Sequence, residues 1–213
     1  VEHCTFEEFQ TCFRIENAEV SIRSCVLEGN ARGVIAEKGA NVKLDACRFE
    51  NNRAVLKVQT LATVSVLNCN FVRNGLNMLL ADQCVSKLEN NWWGRLPETL
   101  SAATLGVEGN LEIERCLDAP YPEGMSIATI ALPLLNEFNR NEGDILRLNI
   151  CRRLVDHDPS YKRGHLWIAD CLQTRLQWED ALQVLQKALL RFPDDPALQD
   201  AIHELKGLLG HVG

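Results

Sequence analysis

The chain contains no apolar run approaching the roughly 18–20 residues that a membrane span requires. It also shows no basic, hydrophobic, small-residue leader at its N-terminus. Positive charge is scarce, with 22 Lys and Arg against 29 Asp and Glu and a formal net charge of −7, for a pI near 5.3. Phosphate binding needs a concentrated basic face, so nucleic acid is excluded as the expected main partner, and no membrane partner is expected. No C-x2-C pair occurs, which removes the commonest zinc-site spacing. His157, His165, His203 and His211 show no ligand spacing on a shared face and read as surface or packing residues. The sequence implies no metal site and no cofactor.

What is present is repetition. A length of 213 residues accommodates two modest domains or one large one, and a composition of 46% hydrophobic and 24% charged residues is that of an ordinary globular protein. Three segments align on a cysteine: Val20 to Leu27, Val42 to Phe49 and Val64 to Phe71. Cys25, Cys47 and Cys69 recur at steps of 22, with Cys4 one step of 21 before them. In each copy an apolar–x–apolar pair precedes the cysteine, a large apolar residue stands two after it, and an asparagine follows: Asn30, Asn52 and Asn74. A degenerate fourth copy runs from Val85 to Trp92, read with Asn90 in the cysteine place, and an incomplete first copy supplies Cys4, Thr5 and Phe6. Further short apolar runs lie between, as in Gly33-Val34-Ile35-Ala36 and Met78-Leu79-Leu80.

Alternation within each run has period two, which means strand. Several strands of three to five residues in a repeat of this length fit one coil of a parallel β-helix, with about five coils in all. Equivalent residues then stack about 4.8 Å apart. On this reading the cysteines are small buried hydrophobes, and a stack of unpaired thiols predicts a reducing, cytoplasmic setting. Asn30, Asn52 and Asn74 are expected in left-handed turn positions, passing amide hydrogen bonds down their column. Leucine-rich repeats have a similar length, but their leucine framework is missing.

With its end at Asn90-Asn91-Trp92-Trp93-Gly94 and a looser strand such as Leu111-Glu112-Ile113 after it, this repeat resembles right-handed parallel β-helix proteins of the pectate-lyase-like superfamily, over about residues 1–120. The resemblance implies the fold. It does not fix an activity, because that superfamily spans lyases, hydrolases, epimerases and proteins without known activity. Catalysis in such a groove needs paired acid and base groups. The outward positions here are Ser21, Arg23, Ser24, Lys43, Asp45, Ala46, Ser65, Leu67 and Asn68, with no carboxylate cluster. No catalytic residue is assigned. Lys43, Asp45 and Arg23 read as a salt-bridged surface row, and Trp92 and Trp93 as the closure of the last coil.

Past a Pro- and Gly-containing stretch the apolar period becomes helical. The segment Lys162 to Asp195, with Ile168-Ala169, Leu172, Ala181, Leu185, Ala188 and Phe192-Pro193, resembles a tetratricopeptide repeat. Its small residues lie where antiparallel helices approach closely. Pro159 stands one step of 34 before Pro193 and marks a weaker copy over 126–159, whose Pro133 must lie near a helix start. A last helix from Ala197 to Leu209, with Leu205, Leu208 and Leu209 on one stripe, reads as a cap. The expected fold is therefore mixed, two solenoids in series: a β-helix with its cap over 1–120 and α-helical hairpins over 121–213.

The resemblance places the exposed groove of the helical module at Arg163, Leu166, Asp170 and Gln173, with Asn136 and Asn139 from the weaker copy. It implies a protein partner, and the expected function is a non-enzymatic interaction or scaffold protein that docks its partner through these residues. Two alternatives stand beside it. One is carbohydrate binding or modification by the β-helix. The other is self-assembly: if Val1 is the native terminus, the open strands of the N-terminal coil can pair with another copy to give a homo-oligomer.

Overall fold

Residues one repeat apart pair in parallel register in the first of two compact units, which run Val1–Thr129 and Ile130–Gly213. The computed structural model describes residues 1–59, 61–81, 84–94, 107–108, 113 and 115–211. Val20 faces Val42 and Val42 faces Val64, so the sequence period is the coil period. Each coil contributes one strand to each of three parallel sheets. The first sheet contains β1 (Thr5–Glu7), β4 (Val26–Glu28), β7 (Arg48–Glu50) and β10 (Asn70–Val72). The second contains β2 (Phe13–Glu16), β5 (Val34–Glu37), β8 (Ala54–Val58), β11 (Leu76–Leu80) and β13 (Val107–Glu108). The third contains β3 (Glu19–Arg23), β6 (Asn41–Asp45), β9 (Thr63–Leu67) and β12 (Val85–Glu89). The described residues thus make about four turns of β-helix, against the five expected from sequence. Of the expected strand at Leu111-Glu112-Ile113, Leu111 and Glu112 lie outside the described residues, and Ile113 is not in a strand. A short antiparallel hairpin, β14 (Arg115–Leu117) with β15 (Ser126–Ala128), follows. The Leu117 N–H donates to the Asn91 carbonyl, and the Asn70 side chain donates to and accepts from the backbone of Tyr121.

Inward positions form continuous columns. Ile22, Leu44, Val66 and Leu88 are buried on the third sheet. Leu27, Phe49 and Phe71 are buried on the first, with the Phe49 and Phe71 rings stacked at 5.1 Å and Phe71 on Trp93 at 4.7 Å. That last contact corrects the reading of the fourth copy. Trp93 occupies the place of Phe71, and Asn91, not Asn90, occupies the place of Cys69; its Oδ1 accepts from the Cys69 N–H at 2.8 Å. The apolar Val85 invites alignment with Val64, but it pairs with Thr63. In a strand, a slip of one residue would turn every side chain to the wrong face.

A second correction concerns the corners. Asn30, Asn52 and Asn74 do form the expected ladder. Asn52 Oδ1 accepts from both the backbone and the side-chain amide of Asn30, and Asn74 Oδ1 does the same for Asn52. The side-chain amides of Asn30, Asn52 and Asn74 donate in turn to the carbonyls of Phe6, Leu27 and Phe49. However, none of these asparagines is in the left-handed region. That conformation belongs to the residue before each, the column Glu8, Gly29, Asn51 and Arg73, and to a second column, His3, Ser24, Ala46, Asn68 and Asn90. A non-glycine residue there carries steric strain. The corner N–H groups of Glu8, Gly29 and Asn51, and of His3, Ser24, Ala46 and Asn68, are each aimed at a carbonyl of the next coil, as in Asn51 to Val72 and Ser24 to Asp45, and these bonds offset the strain.

The second unit is built from α1 (Leu132–Arg140), α2 (Asp144–His157), α3 (Lys162–Thr174), α4 (Trp178–Arg191) and α5 (Pro196–His211). Adjacent helices pack as antiparallel hairpins through the small residues Ala169, Ala181 and Ala188, all buried. Gly164 is a further small contact: a Cβ added there would lie 2.8 Å from Val155 Cγ2, where α3 crosses α2. Pro133 sits in the first turn of α1, as required. The weaker copy is shorter than its spacing implied, because Ser126–Ala128 pairs as β15 and helix starts only at Leu132. In α5 the buried stripe is Leu198, Ile202 and Leu205, whereas Leu208, expected on that stripe, is 41% exposed. One turn of helix after Leu205 is closer to position 209 than to 208.

Candidate functional site

The face of α3 opposite its packing residues gathers four of the six groove positions read from the sequence. Ile168, Ala169, Cys171 and Leu172 point into the bundle. Arg163, Leu166, Asp170 and Gln173 follow at intervals of three and four residues and so share the other side. Asp170 is exposed, and Arg163, Leu166 and Gln173 are half-buried. Asn136 and Asn139 stand one turn apart on α1, half-buried and exposed respectively. Asn136 and Arg163 are each engaged in an interaction of their own within the chain.

Beside this face an aromatic and cationic stack ties three helices together. Trp167 of α3 lies flat on Phe138 of α1 at 4.2 Å and meets Tyr161 edge-on at 5.9 Å. The Arg147 guanidinium of α2 lies over the Phe138 ring, 4.2 Å from its centroid. The sequence pattern gives no sign that the Phe138 ring and the Arg147 guanidinium meet Trp167 here. Aromatic residues at helical spacing in a weak repeat signal packing without naming the partner ring. At the far end of the hairpin Lys162 bonds Asp195, and Asp195 Oδ1 also accepts from the Leu198 N–H, capping α5. Burial raises the Asp195 pKa, but the Lys162 ammonium and the α5 N–H groups outweigh it, so its carboxyl titrates below the usual range.

On the third sheet of the β-helix the charged row expected from sequence is present and internally paired. Arg23 bridges Asp45 at 3.4 Å and Glu2 at 3.6 Å. Lys43 pairs with Glu19 at 2.7 Å, and Asn68 donates to Asp45 at 3.1 Å. Ser24, Ala46 and Asn68, read as outward strand positions, are the left-handed corner residues. On the first sheet the buried Glu50 carboxylate is clamped by Arg48 and by Arg73. Its stacked neighbours Glu7 and Glu28 hold the same register. Among the described residues no group of three His, Cys, Asp or Glu side chains is placed to hold a metal ion.

The cysteines are all free. Cys25, Cys47 and Cys69 form a buried column, and burial beside Cys47 pushes the Cys69 thiol well up. Burial likewise raises Cys12 to about 11 and Cys116 and Cys151 to about 12. The Cys12, Cys69, Cys116 and Cys151 thiols are therefore protonated at neutral pH and poorly nucleophilic, whereas the Cys69 hydrogen bond lowers the Cys47 thiol.

A family model described as a right-handed β-helix region matches residues 1–116, more than half of the sequence. The chain belongs to the right-handed β-helix family. In this right-handed β-helix protein a second model, a tetratricopeptide repeat, matches residues 148–205 and so spans most of α2 together with α3, α4 and much of α5. No curated protein and no solved structure matches the chain. Among the described residues, no helix is long and apolar enough to cross a membrane.

Proposed function

We propose that this β-helix protein is a non-enzymatic interaction protein in which the helical unit docks a protein partner. The observation that carries this reading is the α3 face: Arg163, Leu166, Asp170 and Gln173 alternate charge, apolar surface and amide on one side of a helix whose other side is fully packed. Tetratricopeptide repeats generally mediate protein–protein interaction, and an extended segment of partner would run across α1 and α3, meeting Asn136 and Asn139 first. The β-helix serves as a rigid support. The pairing of Asp45 with Arg23 and Asn68, and of Glu50 with two arginines, supports a non-catalytic role, because paired carboxylates make poor proton carriers. A cytoplasmic setting is part of the same proposal, supported by the free, buried thiols.

The test is selection of binders from a peptide library on the immobilised full chain, followed by affinity measurement. Peptides that engage the α3 face lose affinity with Leu166→Glu and Asp170→Arg and keep it with Leu190→Glu, at a residue 86% exposed on α4. If every selected peptide binds the Leu166 and Asp170 variants as it binds the parent chain, the α3 face is not the docking surface.

A further inference from the structure

The turn end of the helical hairpins carries features that packing within the chain does not explain. Ile145 and Leu146 in the first turn of α2 are 65% and 46% exposed, and Leu176, between α3 and α4, is 72% exposed. Leu176 also has φ +59, in the left-handed region that favours glycine. A branched aliphatic residue is thus held in a strained conformation with its side chain in water. An outlier of this kind invites a functional explanation. Gly143, Asp144, Ile145, Leu146, Asn149 and Arg175 line a shallow, open concavity of about 540 Å³ at the same end.

The charges at its rim select the occupant. Asp144 and Arg175 both line the concavity, yet neither takes part in an ion pair among the described residues. Arg175 donates from Nε to the Gln177 side chain and leaves the rest of its guanidinium to the rim. An apolar patch bearing one acid and one base of its own is complementary to itself. A two-fold axis through the concavity sets each Asp144 against the Arg175 of a second copy and brings the aliphatic residues together at the centre, the pattern of an isologous interface. Opposite charges set against each other across the axis are the usual basis of specificity between charged rims.

We propose that the turn end of the helical unit, formed by Ile145, Leu146 and Leu176 with Asp144 and Arg175 at its rim, is a two-fold self-association surface of this chain. This surface is distinct from the α3 face and does not depend on its role. It also differs from assembly through the N-terminal coil, which would rest on the strand edges there and not on these side chains.

The experiment is light scattering after size exclusion on the full chain, in reductant, across a wide concentration range. The expected parent mass is that of a dimer at high concentration. Asp144→Arg and Arg175→Asp should each weaken association by about a hundredfold, since two like-charge pairs replace two opposite ones. The decisive sample is an equimolar mixture of the two variants. One carries only bases at the rim and the other only acids, so the mixture should recover the dimer. Leu176→Gly, which relieves the backbone strain and so keeps the fold, should still weaken association. Far-UV circular dichroism on every variant establishes that folding is unchanged. A parent chain that stays monomeric throughout overturns the proposal, as does a dimer that ignores both charge reversals or a mixture that stays monomeric.

Discussion

The two units are both repeats, but they are held together by different kinds of bond. In the β-helix the recurring residue is polar. Asn30, Asn52 and Asn74 pass hydrogen bonds from coil to coil across sequence separations of 22 to 25 residues. In the helical unit the recurring residues are small and apolar, Ala169, Ala181 and Ala188, and they only let helices approach. A ladder of buried polar groups is specific because each missing partner strands another group. A packed helical interface degrades more gradually, in proportion to the volume lost. One solenoid is therefore sensitive to which atom stands at a position, and the other to how much space it fills.

The contrast is broken most sharply at Asn52. Replacing it with alanine leaves the buried Asn30 N–H without its acceptor and removes one hydrogen bond each from the Asn30 side-chain amide and the Leu27 carbonyl, at a loss of about 4 kcal/mol. Hydrogen exchange should rise across the flanking coils while the helices keep their protection. Protection unchanged around Asn30 would show that the ladder is incidental. Leu185→Ala in α4, at a fully buried position, should cost about 3 kcal/mol through cavity formation. Its effect should fall on the exchange of α3, α4 and α5, and a loss spread equally over the β strands would contradict the distinction.

The next effect is a pH dependence. The Asp195 carboxyl titrates below the ordinary aspartate value. Its contribution is therefore full above the unfolded value and is lost as pH falls through the lower folded value. Asp195→Asn keeps an α5 cap but loses the Lys162 pair, so it should lower stability by about 1 kcal/mol at neutral pH. It should also flatten the decline in acid. Parallel stability curves for parent and variant below pH 4 would rule out that carboxyl as a source of acid sensitivity. The smallest effect is chemical. At neutral pH the exposed Cys4 should be alkylated first in the native chain, and the Cys25–Cys47–Cys69 column only on unfolding. Peptide mapping after a timed maleimide pulse reads this directly, and early labelling of Cys47 would overturn the packed column.

Much of this was legible in the sequence because repetition multiplies weak signals. Three copies of one pattern fixed the coil length, the inward columns and the asparagine ladder. What escaped was local. The fourth copy was misread by one residue because Val85 satisfies the apolar pattern where the backbone places Ser86, and adjacent Asn90-Asn91 and Trp92-Trp93 allow either register. The corners escaped because Glu, Arg, Ala and Ser occupy left-handed positions there, where composition suggests glycine or asparagine. The six groove positions came from a resemblance; four of them share one face of α3, and Asn136 and Asn139 lie on α1. The Phe138–Trp167–Arg147 stack beside them draws on three helices at once, and no period within one segment can show that.

The two corner columns separate geometry from identity. Glu8, Gly29, Asn51 and Arg73 share one backbone conformation, and the first three share one bonding direction, yet the four have nothing chemical in common. Such a margin can be rewritten without disturbing the text inside it. A lineage built on this coil can therefore change its outer edges, in charge, size or reactivity, by single substitutions that leave the winding intact. Novelty would then arise first along the seams of the coil and last among its inward-facing rows.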